Sequence, residues 1–153
     1  MTHLFFDSSA LIKRYIPETG TGWIRGLMRP DIATILVAAI TQVEIVSGVM
    51  RRKRDGQVLQ QTAHALRVLV DHHLSREYMV IGLNASIIQR AEDALENHAL
   101  RAYDSIQLAS AIEAHVQLLE SGLEPLTFIS ADNRLLLAAQ SEGLATDDPN
   151  LHR

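Results

Sequence analysis

The chain has 153 residues, 47% of them hydrophobic, which is the size and apolar content expected of a single domain with a real core. It contains no cysteine, which excludes disulfides and thiolate metal ligands and points to a reducing compartment. The formal charge of −4 weighs against a broadly basic nucleic-acid-binding surface, and the start "MTHLFFD" has neither the basic flank nor the apolar length of a signal peptide or membrane span, so a cytoplasmic protein without membrane contact is expected.

"HLFF" reads as a first buried strand, closed by Asp7, and residues 8–16 follow with helical spacing. "GTGWIRG" reads as a loop entering a helix. Its last glycine spacing is one residue too long for a dinucleotide fingerprint, and it follows a turn rather than a strand. Trp23 within it reads as a packing anchor or a dimer contact. "ATILVAAI" is the second strand, followed by helical stretches at 41–54 and 57–74. "YMVIG" is the third strand, followed by helices at 85–100 and 103–119. "LTFIS" is the fourth, followed by a helix at 133–142 and a short fifth strand at 144–146. Turn-forming residues at 17–22, 29–32, 55–56 and 122–125 separate these elements. Strands alternating with helices predict a central parallel sheet covered on both faces, hence a three-layer α/β/α domain spanning residues 1–153.

Four acids stand at four predicted helix starts. Asp7 follows the first strand, Glu44 lies in the first turn of "TQVEIVSGVM", Asp104 in the first turn of "YDSIQLASA", and Asp132 follows the strand "LTFIS". Each has a structural explanation alone. Asp7 and Asp132 fit N-caps, Asp104 suits the positive end of a helix dipole, and Thr41 with Glu44 fits a capping box. Asp104 nevertheless leads the stripe Leu108, Ile112, His115 or Val116 and Leu119, which is an odd place for an acid that serves only as filler. In a parallel α/β sheet all four positions belong to the edge formed by strand C-termini, where ligands bind. Carboxylates gathered there repel one another unless a cation shares them, and an all-oxygen set suits Mg²⁺ or Mn²⁺. Setting the four acids aside leaves the rest of the chain formally neutral, which removes the charge objection to a polyanionic substrate.

"DSSALIKRYIPE", "TQVEIVSGV", "RAYDSIQLASA" and "SADNRL", in this order, resemble the PIN-domain ribonucleases, and more narrowly the VapC-type toxins of toxin–antitoxin pairs. The resemblance implies a PIN-like fold and a metal-dependent endoribonuclease silenced by a cognate antitoxin protein and usually dimeric. It places the family's acidic positions at Asp7, Glu44, Asp104 and Asp132, with Ser9 and Ser130 as supporting hydroxyls. Asp7 and Asp104 are then the principal Mg²⁺ or Mn²⁺ ligands, with Glu44 and Asp132 binding directly or through water. Residues 57–77 carry no family signature.

Three weaker signals complete the reading. Arg51, Arg52, Lys53 and Arg54 form the densest basic run, either a solvated helix end or an RNA-phosphate contact, about three helical turns from the acidic edge. Lys13 and Arg14 carry the same two readings. "DHH" at 71–73 sits late in an amphipathic run and reads as helix surface. Two other functions compete. A phospho-accepting receiver domain needs an acid pair, a third-strand aspartate and a late lysine, yet "FFDSS" has one acid, "YMVIGLN" none, and no lysine follows Lys53. A non-catalytic binding module would use the acids only as helix caps.

Overall fold

Strand β1 (Thr2–Phe6) is apolar on both faces: Leu4 and Phe6 belong to one buried cluster and Phe5 to another. The same split divides Ile35 and Val37 from Leu36 and Ala38 in β2 (Ala33–Ala38), and Ile129 from Leu126 and Phe128 in β4 (Leu126–Ile129). A strand with two apolar faces needs a helical layer on each side. With β3 (Tyr78–Ile81) and β5 (Ala145–Asp147) these strands form one all-parallel sheet in the order β3-β2-β1-β4-β5, in a computed structural model that describes all 153 residues. Phe5 lies opposite Phe128 in the register, and their rings stack at 5.6 Å.

One layer contains α1 (Ser8–Tyr15), α2 (Thr21–Leu27), α3 (Thr41–Arg54) and α4 (Gln60–Arg76), which contribute Leu11, Ile24, Ile45 and Val70 to the cluster around Phe6. The other contains α6 (Ala102–Glu120) and α7 (Asn133–Ser141), with α5 (Ala85–Asn97) packed on α6 through Ile87, Ala91 and Ala109. This is the three-layer α/β/α arrangement expected from the alternation of strands and helices. No helix is long and apolar enough to cross a membrane.

Several boundaries differ from the sequence reading. The second strand stops at Ala38, because Ile40 is already helical and caps α3. Helix α4 starts at Gln60 rather than 57, after an extended Leu59. Helix α5 ends at Asn97 rather than 100, because His98 is extended and its ring meets Glu142 at 2.8 Å. The stripe drawn from Asp104 is only part of the buried surface of α6. Leu119 is half exposed, while Ser105, Gln107, Ala109 and Ser110 are buried because both the sheet and α5 cover this helix.

Helix α2 fulfils the reading of a loop entering a helix, with Gly20 as its left-handed cap at φ +88°. A Cβ at Gly20 would lie 2.3 Å from the Pro149 carbonyl oxygen, so only glycine lets the turn at Pro149–Leu151 dock there. Beside it, the Trp23 ring stacks on His152 at 3.9 Å, an intramolecular packing contact. Gly20→Ala is expected to cost on the order of 3 kcal/mol in urea unfolding, combining left-handed strain with a backbone clash. Gly22→Ala, where the added methyl meets nothing within 4 Å, is the control. Equal midpoints for the two variants would contradict the role given to Gly20.

Candidate active site

The chain runs outward from β1 through β2 to β3, then returns to the other side of β1 with β4 and β5. The crevice between the C-terminal ends of β1 and β4 is therefore the switch point at which such sheets bind ligands. Asp7 leaves β1 there, with its backbone N–H donating to Ile129 O at 3.1 Å, and Asp132 follows β4 as the cap of α7.

Asp7 is buried and accepts hydrogen bonds from the Ala10 N–H (2.9 Å), the Ser9 hydroxyl (2.8 Å) and the Ser130 hydroxyl (2.8 Å). The two serine oxygens in turn accept the N–H groups of Ala131 (3.0 Å) and Asp132 (3.1 Å). Each hydroxyl thus ties the loop after β4 to the carboxylate after β1. Glu44 is held differently: Gln107 donates to Oε1 at 2.8 Å and Ser8 to Oε2 at 3.0 Å. The capping-box explanation for Glu44 fails. The cap of α3 is Ile40, no side chain caps it, and the Thr41 hydroxyl instead accepts from Gln107 at 2.8 Å. Asp132 does cap its helix, using Oδ1 for the N–H groups of Arg134 and Leu135. Asp104 caps nothing, and its carboxylate accepts no hydrogen bond from the protein.

All four acids line one cleft of about 800 Å³. Burial, opposed by its three hydrogen bonds and reinforced by the negative Glu44, pushes the Asp7 carboxyl up to about 7. Burial also raises Glu44, with Asp104 adding repulsion, and raises Asp104, with Asp132 adding repulsion. Each acid therefore feels the next, and a cation between them would relieve the strain. The all-oxygen donor set fits Mg²⁺ or Mn²⁺. No three acids or histidines are close enough together to form a ligand set by themselves. A cation held by one or two carboxylates and several waters, as is usual for Mg²⁺, matches that spacing.

The basic run divides. Arg51 and Arg52 line the same cleft as the acids, because the cleft extends along α3 instead of stopping at its first turn, whereas Lys53 and Arg54 stand outside it. Arg101, at the cap of α6, also lines the cleft, as do Ser8 and Tyr103. The sequence reading missed Ser8, Arg101, Tyr103 and the buried Gln107. Lys13 and Arg14 are corrected to structural roles: buried Lys13 pairs with Glu18 at 3.5 Å, and Arg14 pairs with Glu77 at 2.9 Å and donates to the Tyr78 hydroxyl. "DHH" is not all helix surface either. His73 is buried, and its Nδ1 lies 2.9 Å from the Tyr15 hydroxyl, which also bonds Tyr78.

The sequence profile of the PIN domain matches residues 4–139. The chain belongs to the PIN-domain family. Solved structures align over nearly the whole chain at low identity. A toxin–antitoxin complex from Klebsiella pneumoniae is 18% identical at a TM-score of 0.60, covering 95% of this chain and 97% of that one. The sarcin–ricin-loop-cleaving toxin VapC20 from Mycobacterium tuberculosis is 16% identical at 0.61, covering 93% and 96%. FitAcB from Neisseria gonorrhoeae is 16% identical at 0.62, covering 98% and 99%. No curated protein sequence matches the chain significantly. At these identities the structural matches establish the fold.

Within this PIN domain Gln107 carries a specific expectation. Both of its amide hydrogens are committed to α3, and its own Oε1 is buried without a partner, an arrangement that costs stability but fixes Glu44 in the cleft. If Glu44 serves the reaction, Gln107→Leu is expected to lower turnover roughly 10–100-fold, the usual cost of losing an outer partner of a ligand. Steady-state assays of nuclease activity check this. Full activity in a folded Gln107→Leu protein would mean that Glu44 needs no positioning.

Proposed function

We propose that this PIN domain is a VapC-type endoribonuclease toxin. It is Mg²⁺- or Mn²⁺-dependent, is held inactive by a cognate antitoxin protein, and works as a homodimer in the cytoplasm. One observation carries the reading: four carboxylates from four separate elements open into a single cleft whose walls also carry Arg51, Arg52 and Arg101. Helix caps alone do not explain that arrangement, since Glu44 and Asp104 cap nothing. The structural neighbour described as a toxin–antitoxin complex supports an antitoxin partner, and the one described as a sarcin–ricin-loop-cleaving toxin supports RNA as substrate.

Asp104, with both oxygens unclaimed, and Asp132, with Oδ2 free, have the oxygens most available to a cation. Asp7 and Glu44 retain fewer free lone pairs and are held in place by Ser9, Ser130, Ser8 and Gln107. When bound, the cation would acidify a water and neutralise charge on the phosphodiester. The arginines attract the RNA backbone into an otherwise acidic cleft. No histidine lines this cleft, so the chain supplies no imidazole base there. Attack by water on the phosphorus with cleavage of the P–O3′ bond, the departing 3′-oxygen taking a proton from solvent, leaves a 5′-phosphate and a 3′-hydroxyl.

The test is end-mapping of bacterial total RNA incubated with purified, antitoxin-free protein. Discrete cuts bearing 5′-phosphates in Mg²⁺ or Mn²⁺, suppressed by EDTA, are expected. Cyclic 2′,3′-phosphate ends, or cutting indifferent to EDTA, would refute the proposed chemistry.

A further inference from the structure

The four-acid cleft does not end at its acids. Arg101, Asp104 and Asp132 form a shared wall between it and a second cleft of about 300 Å³, whose other lining includes Leu100, Asn133 and Arg134. Beyond this wall the first cleft carries Arg51 and the second carries Arg134. Neither guanidinium is engaged in an ion pair or a side-chain hydrogen bond, and Arg101 makes only one such bond, to the Tyr103 hydroxyl at 3.1 Å. Arg14, Arg29 and Arg90 are each paired with a carboxylate, and Arg54, Arg67, Arg76 and Arg153, which are also unpaired, line neither cleft. Uncommitted guanidinium groups around acids are poised for an anion that comes from outside.

We infer that the second cleft is a nucleotide subsite and that single-stranded RNA lies across the Arg101–Asp104–Asp132 wall, with its backbone held on one side by Arg51 and on the other by Arg134. The inference rests on the ribonuclease reading and extends it by assigning which surface holds the chain beyond the cut. The scissile phosphate sits over the wall, where Arg101 meets it beside the two acids with the most available oxygens. Asn133 and Leu100 flank the neighbouring nucleotide, offering an amide for a base edge and an apolar surface for its face. An acidic protein can therefore hold a polyanion through a few arginines along one track, without a basic surface overall.

The probe is a fluorescein-labelled ten-nucleotide oligouridylate, titrated against wild type, Arg134→Ala, Arg51→Ala and the double variant. Ca²⁺ is used to support binding with little cleavage, and a salt series is recorded for each protein. Arg134 and Arg51 are exposed, so neither change threatens the fold. Each single variant is expected to weaken binding severalfold and to reduce the slope of log affinity against log salt by about 0.7, the value of one single-strand phosphate contact. The double variant is expected to show the sum of the two, since the two guanidinium groups lie in different clefts and would contact different phosphates of the strand. Wild-type binding that is lost in Arg51→Ala yet unchanged in Arg134→Ala would confine the strand to one cleft and overturn the inference while leaving the ribonuclease reading intact. Failure of the wild type to bind RNA at all would overturn both.

Discussion

Asp104→Asn is expected to abolish RNA cleavage while leaving the protein folded. The side chain is partly exposed, caps no helix and accepts no hydrogen bond, so replacing one oxygen by an amide nitrogen costs only its small interaction with the dipole at the start of α6. What it removes is a negative charge and a free ligand oxygen in the acidic cleft, beside Asp132. The loss of activity should exceed the roughly 10–100-fold typical of an outer partner, so Asp104→Asn should fall well below Gln107→Leu. Circular dichroism and thermal melting would confirm the fold, and initial cleavage rates in Mn²⁺ would measure the effect. Activity within tenfold of wild type, with contaminating nuclease excluded, would remove Asp104 from the proposed site.

The metal-free protein is expected to lose stability as pH rises, and Asp7 is the main cause. Its carboxyl has a folded-state pKa of about 7 against an ordinary value of 3.8. Below the ordinary value both folded and unfolded chains hold the proton, and no penalty arises. Between the two values the unfolded carboxyl ionises while the folded one does not, so stability falls with pH. Above about 7 the folded chain carries the full cost of a buried anion, on the order of 4 kcal/mol. For a domain of this size that corresponds to roughly 10 °C in Tm. Melting in EDTA at acidic and at alkaline pH should therefore differ much more for wild type than for Asp7→Asn, which has no charge to bury. Mg²⁺ or Mn²⁺ should raise the alkaline Tm of wild type more than that of the variant, which keeps Asp104 and Asp132 but has no Asp7 charge to relieve. Parallel pH profiles for the two proteins would show that Asp7 is not the group responsible. Asp7→Asn is also expected to be inactive, making it a stabilising change that destroys function.

The acids were legible in the sequence because each stands at a helix start on the strand-end edge, and that local pattern survives folding. Their neighbours were not. Gln107 looks like one more polar residue on an apolar helix until α6 is wedged between the sheet and α5 and turns it towards Thr41 and Glu44. Arg101 is a cap because α6 begins at Ala102 rather than at 103, which sets it beside Asp104 at the mouth of the cleft. Arg51 and Arg52 lie about two turns beyond Glu44 along the helix and looked remote, yet the cleft follows the helix axis. Lys13 and His73 misled in the opposite direction. Charged or polar residues in amphipathic runs normally face solvent, and these are buried because Glu18 and Tyr15 meet them through the tertiary fold.

The docking of Pro149–Leu151 against Gly20 has an optical consequence. It places His152 flat against Trp23, the protein's only tryptophan, and the Asp147 carboxylate accepts a hydrogen bond from the same imidazole at 2.8 Å. Indole emission therefore reports on whether this end of the chain is seated on α2. It does so from outside both arginine-bearing clefts, since Trp23 lines neither. Fluorescence can thus follow detachment of the 149–152 segment as a local event, separately from anything that occupies the acidic crevice.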